Sequence, residues 1–221
     1  MPFYESETTT PFVVALDFEG VLMDYDQRRL RCLCLALGRN EMTEQETYDL
    51  PESIEDAASR ISRLDQWTVP VLAEYAIPLI NELSRLGCDV RVITHVDPMA
   101  QGTRSLALSK LVEPECILCT GSDTSPESIV DLLLRMGVDA YLGGAWEYGY
   151  GKAECPGAAV AQRYATVGNA ASALLEDSES DMDLFIDGVT TLCDAMDFPL
   201  FVWEKMRQTK LAYYYGYEPP V

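Results

Sequence analysis

A chain of 221 residues, 48% of them hydrophobic, is long enough to bury one substantial core and too apolar to stay unfolded. Its formal charge of −20, from 36 acidic against 16 basic residues, repels phosphodiester backbones and anionic lipid, which excludes non-specific binding to nucleic acid or membrane. The seven cysteines are odd in number and mostly lie in apolar runs. They read as free thiols of a cytoplasmic protein without a secretory leader.

In chain order, residues 1–11 are polar and close at Pro11. Phe12 to Leu16 is a continuous apolar run, the pattern of a strand buried on both faces, and it stops at Asp17-Phe18-Glu19-Gly20, where the glycine permits a sharp turn. Leu30, Leu33, Cys34 and Leu37 share one helical face, with Gly38 as its stop. Ile54, Ala57, Ala58, Ile61 and Leu64 mark a second helix over 52–66, and a third is expected over 70–86. Residues 88–93 form the second strand, closed by Thr94-His95.

A helix over 99–112, a strand at 116–119 and a helix over 126–136 follow, the last opened by Ser125-Pro126 and closed by Gly137. Ala140-Tyr141-Leu142 reads as a short strand, 143–151 as a loop and 156–175 as one long helix. The acidic run 176–183 reads as a solvated loop. Leu184-Phe185-Ile186 is a strand ending at Asp187-Gly188, 189–196 a short helix, and Pro199 to Trp203 a last strand. Strands alternating with helices predict an α/β fold with a doubly wound, mainly parallel sheet. Ligands in such sheets bind at the carboxyl ends of the strands, which singles out Asp17, Thr94, the loop after the third strand, and Asp187.

Cys116-Ile117-Leu118-Cys119 has metal or redox spacing, but no second cysteine or histidine pair completes a zinc set, and the chain has one histidine. His95 adjoins the candidate site and is kept as a substrate contact only. The aromatic stretches 146–150 and 213–217 read as core packing, with a pocket lining or a homodimer contact as the alternative.

The order of these features resembles the haloacid dehalogenase-like superfamily of phosphohydrolases. Val14-Ala15-Leu16-Asp17-Phe18-Glu19-Gly20-Val21-Leu22 is similar to its first motif, Val90 to Thr94 to its second, Gly151-Lys152 to its third, and Leu184 to Gly188 to its fourth. The resemblance implies a Rossmann-like core (1–24 and 77–221) and a helical cap (25–76) that covers the site and favours a small-molecule phosphate ester as substrate. It also implies Asp17 as a nucleophile forming an aspartyl-phosphate, Thr94 as a donor to the phosphate, and Lys152, with Lys110 as its rival, as the charge-neutralising amine. The carboxyl of Glu19 takes the acid–base role. Mg²⁺ prefers about six oxygens, and Asp17, the Glu19 carbonyl and Asp187 are its implied ligands.

Two positions depart from the pattern. Glu19 stands where the family has Asp, so its carboxyl sits one methylene further out, and a displacement of roughly 1 Å costs about a hundredfold in rate. Gly188 stands where a second acidic residue is frequent; Asp181, Asp183 and Asp194 are candidate substitutes. The phosphohydrolase reading therefore has two alternatives: a non-catalytic domain that binds a ligand or partner, and a metal-independent dehalogenase. Arg28, Arg29, Arg31, Arg60 and Arg63 of the cap are expected mainly in surface ion pairs.

Overall fold

The computed structural model describes residues 10–47, 50–121, 124–144, 156–167, 171–175 and 188–215. Six strands, β1 (Val13–Asp17), β2 (Asp89–Thr94), β3 (Ile117–Cys119), β4 (Ala140–Gly144), β5 (Ala171–Leu175) and β6 (Thr190–Leu192), form one sheet in the order β3-β2-β1-β4-β5-β6. Every pairing is parallel, so the strand ends that carry Asp17 and Thr94 share one edge.

Successive strand residues point to opposite faces, and both faces are covered. Val14 and Leu16 of β1, with Val90 and Val92 of β2, pack on one face. Their partners there are Leu79, Ile80 and Leu83 of α3 (Ala76–Arg85) and Phe198, Phe201 and Val202 of α7 (Phe198–Tyr215). Ala15, Ile93 and Tyr141 meet α5 (Pro126–Arg135) and α6 (Pro156–Thr166) on the other face, where the Tyr164 hydroxyl donates to the Val138 carbonyl. The doubly wound, parallel architecture expected from the sequence is the one observed.

Two helices, α1 (Tyr25–Leu37) and α2 (Glu52–Asp65), make a small helical cap with its own apolar centre of Cys32, Leu33 and Ala58. Gly38 ends α1 in the left-handed conformation at φ 66°, as its position predicts. The cap joins the core through two antiparallel passes of chain: Ala73 N–H donates to Leu22 C=O (3.0 Å) and Asp24 N–H to Val71 C=O (3.1 Å). Within the cap, Arg29 pairs with Glu55 at 3.3 Å on the surface, as expected, whereas the Arg28–Asp65 pair (3.5 Å) is mostly buried.

Several element assignments change. The expected long helix over 156–175 is two elements: α6 ends at Thr166, and Ala171–Leu175 is β5, inserted between β4 and β6. The expected strand at 199–203 is the start of α7, because Pro199 suits a first helical turn and Phe198, Phe201 and Val202 fall on one buried helical face. The short helix expected over 189–196 is instead β6 and a 3₁₀ turn at Ala195–Asp197. Residues 70–75 form the return pass from the cap, so α3 begins only at Ala76. The helix expected over 99–112 is shorter, α4 (Gln101–Ala107), entered through a 3₁₀ turn at Pro98–Ala100. Gly143 and Gly144, expected in a loop, complete β4. The expected strand at 184–186 lies outside the described residues.

Candidate active site

β1 delivers Asp17 to the carboxyl edge of the sheet, level with Ile93 of β2. The chain then turns through Phe18–Leu22, a wide turn closed by Met23 N–H donating to Phe18 C=O at 2.9 Å, with Gly20 at φ 99°. Only glycine takes that conformation without steric cost. The turn is held by backbone contact as well: a Cβ on Gly144 would stand 2.4 Å from the Gly20 oxygen, and one on Gly157 only 2.1 Å from the Gly144 oxygen. The end of β4 therefore presses directly against the turn that carries Glu19, and the start of α6 presses against the end of β4.

Asp17, Glu19 and Thr94 are all buried, Asp17 and Thr94 completely. The Glu19 carboxylate is the centre of the hydrogen-bond network. Thr94 Oγ1 lies 2.8 and 3.0 Å from its two oxygens, the His95 backbone N–H donates at 2.9 Å, and Arg104 reaches Oε1 through Nη2 (3.2 Å) and Nε (3.3 Å). Both carboxylate oxygens thus act as acceptors, and in this arrangement Glu19 presents no proton to a leaving group. The structure brings Asp17, Glu19 and Thr94 together, as the spacing of the motifs predicts, but it turns Thr94 toward Glu19.

His95 lies against Asp17, with Nε2 3.2 Å from Oδ1. Its Nδ1 is 2.9 Å from Thr120 Oγ1, whose own proton can go to the Thr94 carbonyl at 3.3 Å. Both ring nitrogens therefore face acceptors, an arrangement that suits the doubly protonated ring. Burial pulls the imidazole pKa down, but the charge and hydrogen bond of Asp17, with the charge of Glu19, more than offset this, and the net shift is upward.

Arg104 was not legible as a site residue. It is 1% exposed, the largest of the fully buried side chains among the described residues, and its stem stacks the guanidinium 5.5 Å over the Phe18 ring. Burial pushes its pKa down, and the Glu19 carboxylate offsets this only in part, so the net shift is downward. Its Nη1 donates to the Gln66 carbonyl, just beyond α2, at 2.8 Å, so one guanidinium joins the cap to the site. The available signal was spacing: Ala100, Arg104 and Leu108 recur at i, i+4, i+8 on what proves to be the buried stripe.

Lys152 and Asp187 lie outside the described residues, as do Asp181 and Asp183. Lys110 is exposed in the turn after α4, whereas the carboxylates it would serve are buried. Asp194 caps the Ala195–Asp197 turn by accepting from Met196 N–H at 2.8 Å. Cys116 and Cys119 are free thiols, and Cys119 Sγ donates to the Val96 carbonyl.

Mg²⁺, the implied cofactor, needs several oxygen donors that converge. No group of three His, Cys, Asp or Glu residues suited to a metal occurs among the described residues. β4, the strand beside β1 on the side away from β2, ends in Gly143-Gly144 and brings no carboxylate to Asp17. The Glu19 carboxylate is bound to Arg104, and the His95 imidazole faces Asp17. Asp17 and the Glu19 carbonyl are the implied ligands among the described residues, and without Asp187 they fall short of the about six oxygens that a hard cation wants. No helix among the described residues is long and apolar enough to cross a membrane.

No family model matches the chain, and no curated protein does. Solved structures do. A haloacid dehalogenase-like family hydrolase from Xanthomonas campestris superposes with a TM-score of 0.52 at 12% identity, covering 90% of this chain and 98% of its own. A family IA hydrolase of the same superfamily from Entamoeba histolytica gives 0.53 at 13%, covering 88% and 99%. A hydrolase from Deinococcus radiodurans, solved with bound phosphate and sodium, gives 0.53 at 11%, covering 89% and 96%. A parallel sheet in the order β3-β2-β1-β4-β5-β6, a small helical cap after β1, and these superpositions over most of the chain show one fold, that of the haloacid dehalogenase-like hydrolases.

Proposed function

We propose that the chain is a hydrolase of a small phosphorylated metabolite, with Asp17 as its nucleophile. The observation that carries this reading is a buried carboxylate at the carboxyl end of the first strand, beside the Thr94 hydroxyl and the His95 N–H at the end of the neighbouring one. An Asp17 oxygen would attack phosphorus, the P–O bond to the ester oxygen would break, and the departing alkoxide would take up a proton from water. Water would then attack the phosphorus of the aspartyl-phosphate, release inorganic phosphate and restore the Asp17 carboxylate. Thr94 and the His95 N–H would hold phosphate oxygens, and Lys152 would neutralise developing charge. The Deinococcus radiodurans neighbour, solved with phosphate, supports the substrate class. For Glu19 to give or take a proton its carboxyl must leave Arg104 and Thr94. Dependence on Mg²⁺ rests on Asp187 completing a set with Asp17 and the Glu19 carbonyl.

A second reading, ligand binding without turnover, is favoured by the Glu19 network, which occupies the proton-donor position with an acceptor. Hydrolysis of a panel of phosphate esters, with Mg²⁺ and with chelator, by wild type and Asp17→Asn, separates the two. Release by wild type that disappears in Asp17→Asn supports the nucleophile. Equal release by both proteins, or none from any ester, sinks the hydrolase reading, and the latter result leaves binding alone.

A further inference from the structure

Donors from two separate elements converge on the Glu19 carboxylate. Thr94 Oγ1 and the His95 N–H come from the end of β2, and two N–H groups of Arg104 come from α4, at distances of 2.8 to 3.3 Å. A hydroxyl, a backbone amide and a guanidinium fork are the donor types that hold tetrahedral oxyanions elsewhere in proteins. Glu19 is not the only group that positions Arg104. Its Nη1 is bound to the Gln66 carbonyl (2.8 Å) and to Thr103 Oγ1 (3.0 Å), and Phe18 lies beneath it. Thr94 and His95 sit at a strand end paired through Thr94 with Cys119. The occupant differs from its cradle in this respect, since Glu19 belongs to the turn whose next residue is glycine at φ 99°.

We propose that Arg104, the Thr94 hydroxyl and the His95 N–H are a preformed oxyanion site which Glu19 fills with its own carboxylate, so that a ligand anion enters only by exchange with Glu19. Taking the anion to be phosphate rests on the function proposed above; the exchange itself does not. Electrostatics enforce it. Arg104 is buried, and a buried guanidinium stripped of its anion is strongly unfavourable, so Glu19 cannot swing out unless another anion takes its place. The guanidinium is also bound to the carbonyl that follows α2, so the cap holds the cation to which the incoming anion binds. The added methylene of Glu19 relative to Asp gives it the reach to act as this internal ligand.

The test is binding of inorganic phosphate by calorimetry, with thermal unfolding in phosphate or acetate as the second readout. Glu19→Ala empties the cradle and is expected to bind phosphate about 10- to 100-fold more tightly than wild type, the equivalent of one charge-assisted hydrogen-bond partner no longer displaced. Acetate, which resembles the missing side chain, is expected to raise the melting temperature of Glu19→Ala and not that of wild type. Glu19→Ala/Arg104→Met is expected to lose both gains. Phosphate affinity in Glu19→Ala equal to that of wild type overturns the proposal. If Glu19→Ala folds only in the presence of phosphate or acetate, the proposal is supported; if neither anion restores it, the proposal falls. Ester hydrolysis is read separately: tightened binding without turnover would retain the exchange and reject the hydrolase, and turnover with unchanged affinity would do the reverse.

Discussion

Replacing Arg104 by Met keeps an unbranched apolar stem over Phe18 and removes the charge that Glu19 faces. Arg104 is 1% exposed and Glu19 5%, so in the unliganded protein each is the other's charge partner away from water. Breaking one side of such a buried pair costs about 3–5 kcal/mol, a large share of a total stability of roughly 5–15 kcal/mol. With a urea slope of about 2.5 kcal/mol/M, a loss of about 4 kcal/mol lowers the unfolding midpoint by about 1.6 M. The assay is urea unfolding of wild type, Arg104→Met, Glu19→Gln and the double variant. The double variant is expected to recover most of the loss, because it leaves no uncompensated charge. A coupling energy of about 2 kcal/mol or more is then the signature of the pair. A loss under about 1 kcal/mol for Arg104→Met, or a coupling near zero, would refute the view that the pair is desolvated and mutually dependent.

His95 is the sole histidine, so its ring protons can be followed in solution without assignment ambiguity. Its folded pKa is raised, so its contribution to stability is fully present below the unfolded value of about 6.5 and is lost as pH rises through the folded value. NMR titration is expected to place the midpoint above that of a free histidine, and His95→Gln is expected to remove that part of the pH dependence of unfolding; a midpoint below about 6.5 contradicts the Asp17 pairing. Gly144→Ala would drive a methyl group into the Gly20 backbone and is expected to cost about 3 kcal/mol or more, read from thermal unfolding. Gly38→Ala meets open space and strains only the backbone at φ 66°, so about 1 kcal/mol is expected. Equal costs at the two glycines would show that the close approach at the site is not a constraint.

Much of the frame was written in local signals. An apolar run ending in Asp-x-Glu-Gly identified β1 and its turn, Ser125-Pro126 and Gly137 bracketed α5, and Gly38 closed α1. These features depend on periodicity, capping and φ > 0, which neighbouring residues decide among themselves. Ala171–Leu175 carries no such punctuation, and Pro199 in Phe198–Val202 suits a strand edge as well as a first helical turn. Each is a short apolar run compatible with either helix or strand, and burial chose: the gap between β4 and β6 took the first as a strand, while the sheet face beside α3 took the second as a helix. The sequence alone determined that Asp17 and Thr94 would meet at one sheet edge, because parallel strands put their carboxyl ends together. Tertiary structure alone decided what surrounds them. Arg104, 85 residues from Glu19 along the chain, becomes its partner only when α4 lies against the turn, and a pairing between groups so far apart in sequence leaves no local pattern to read.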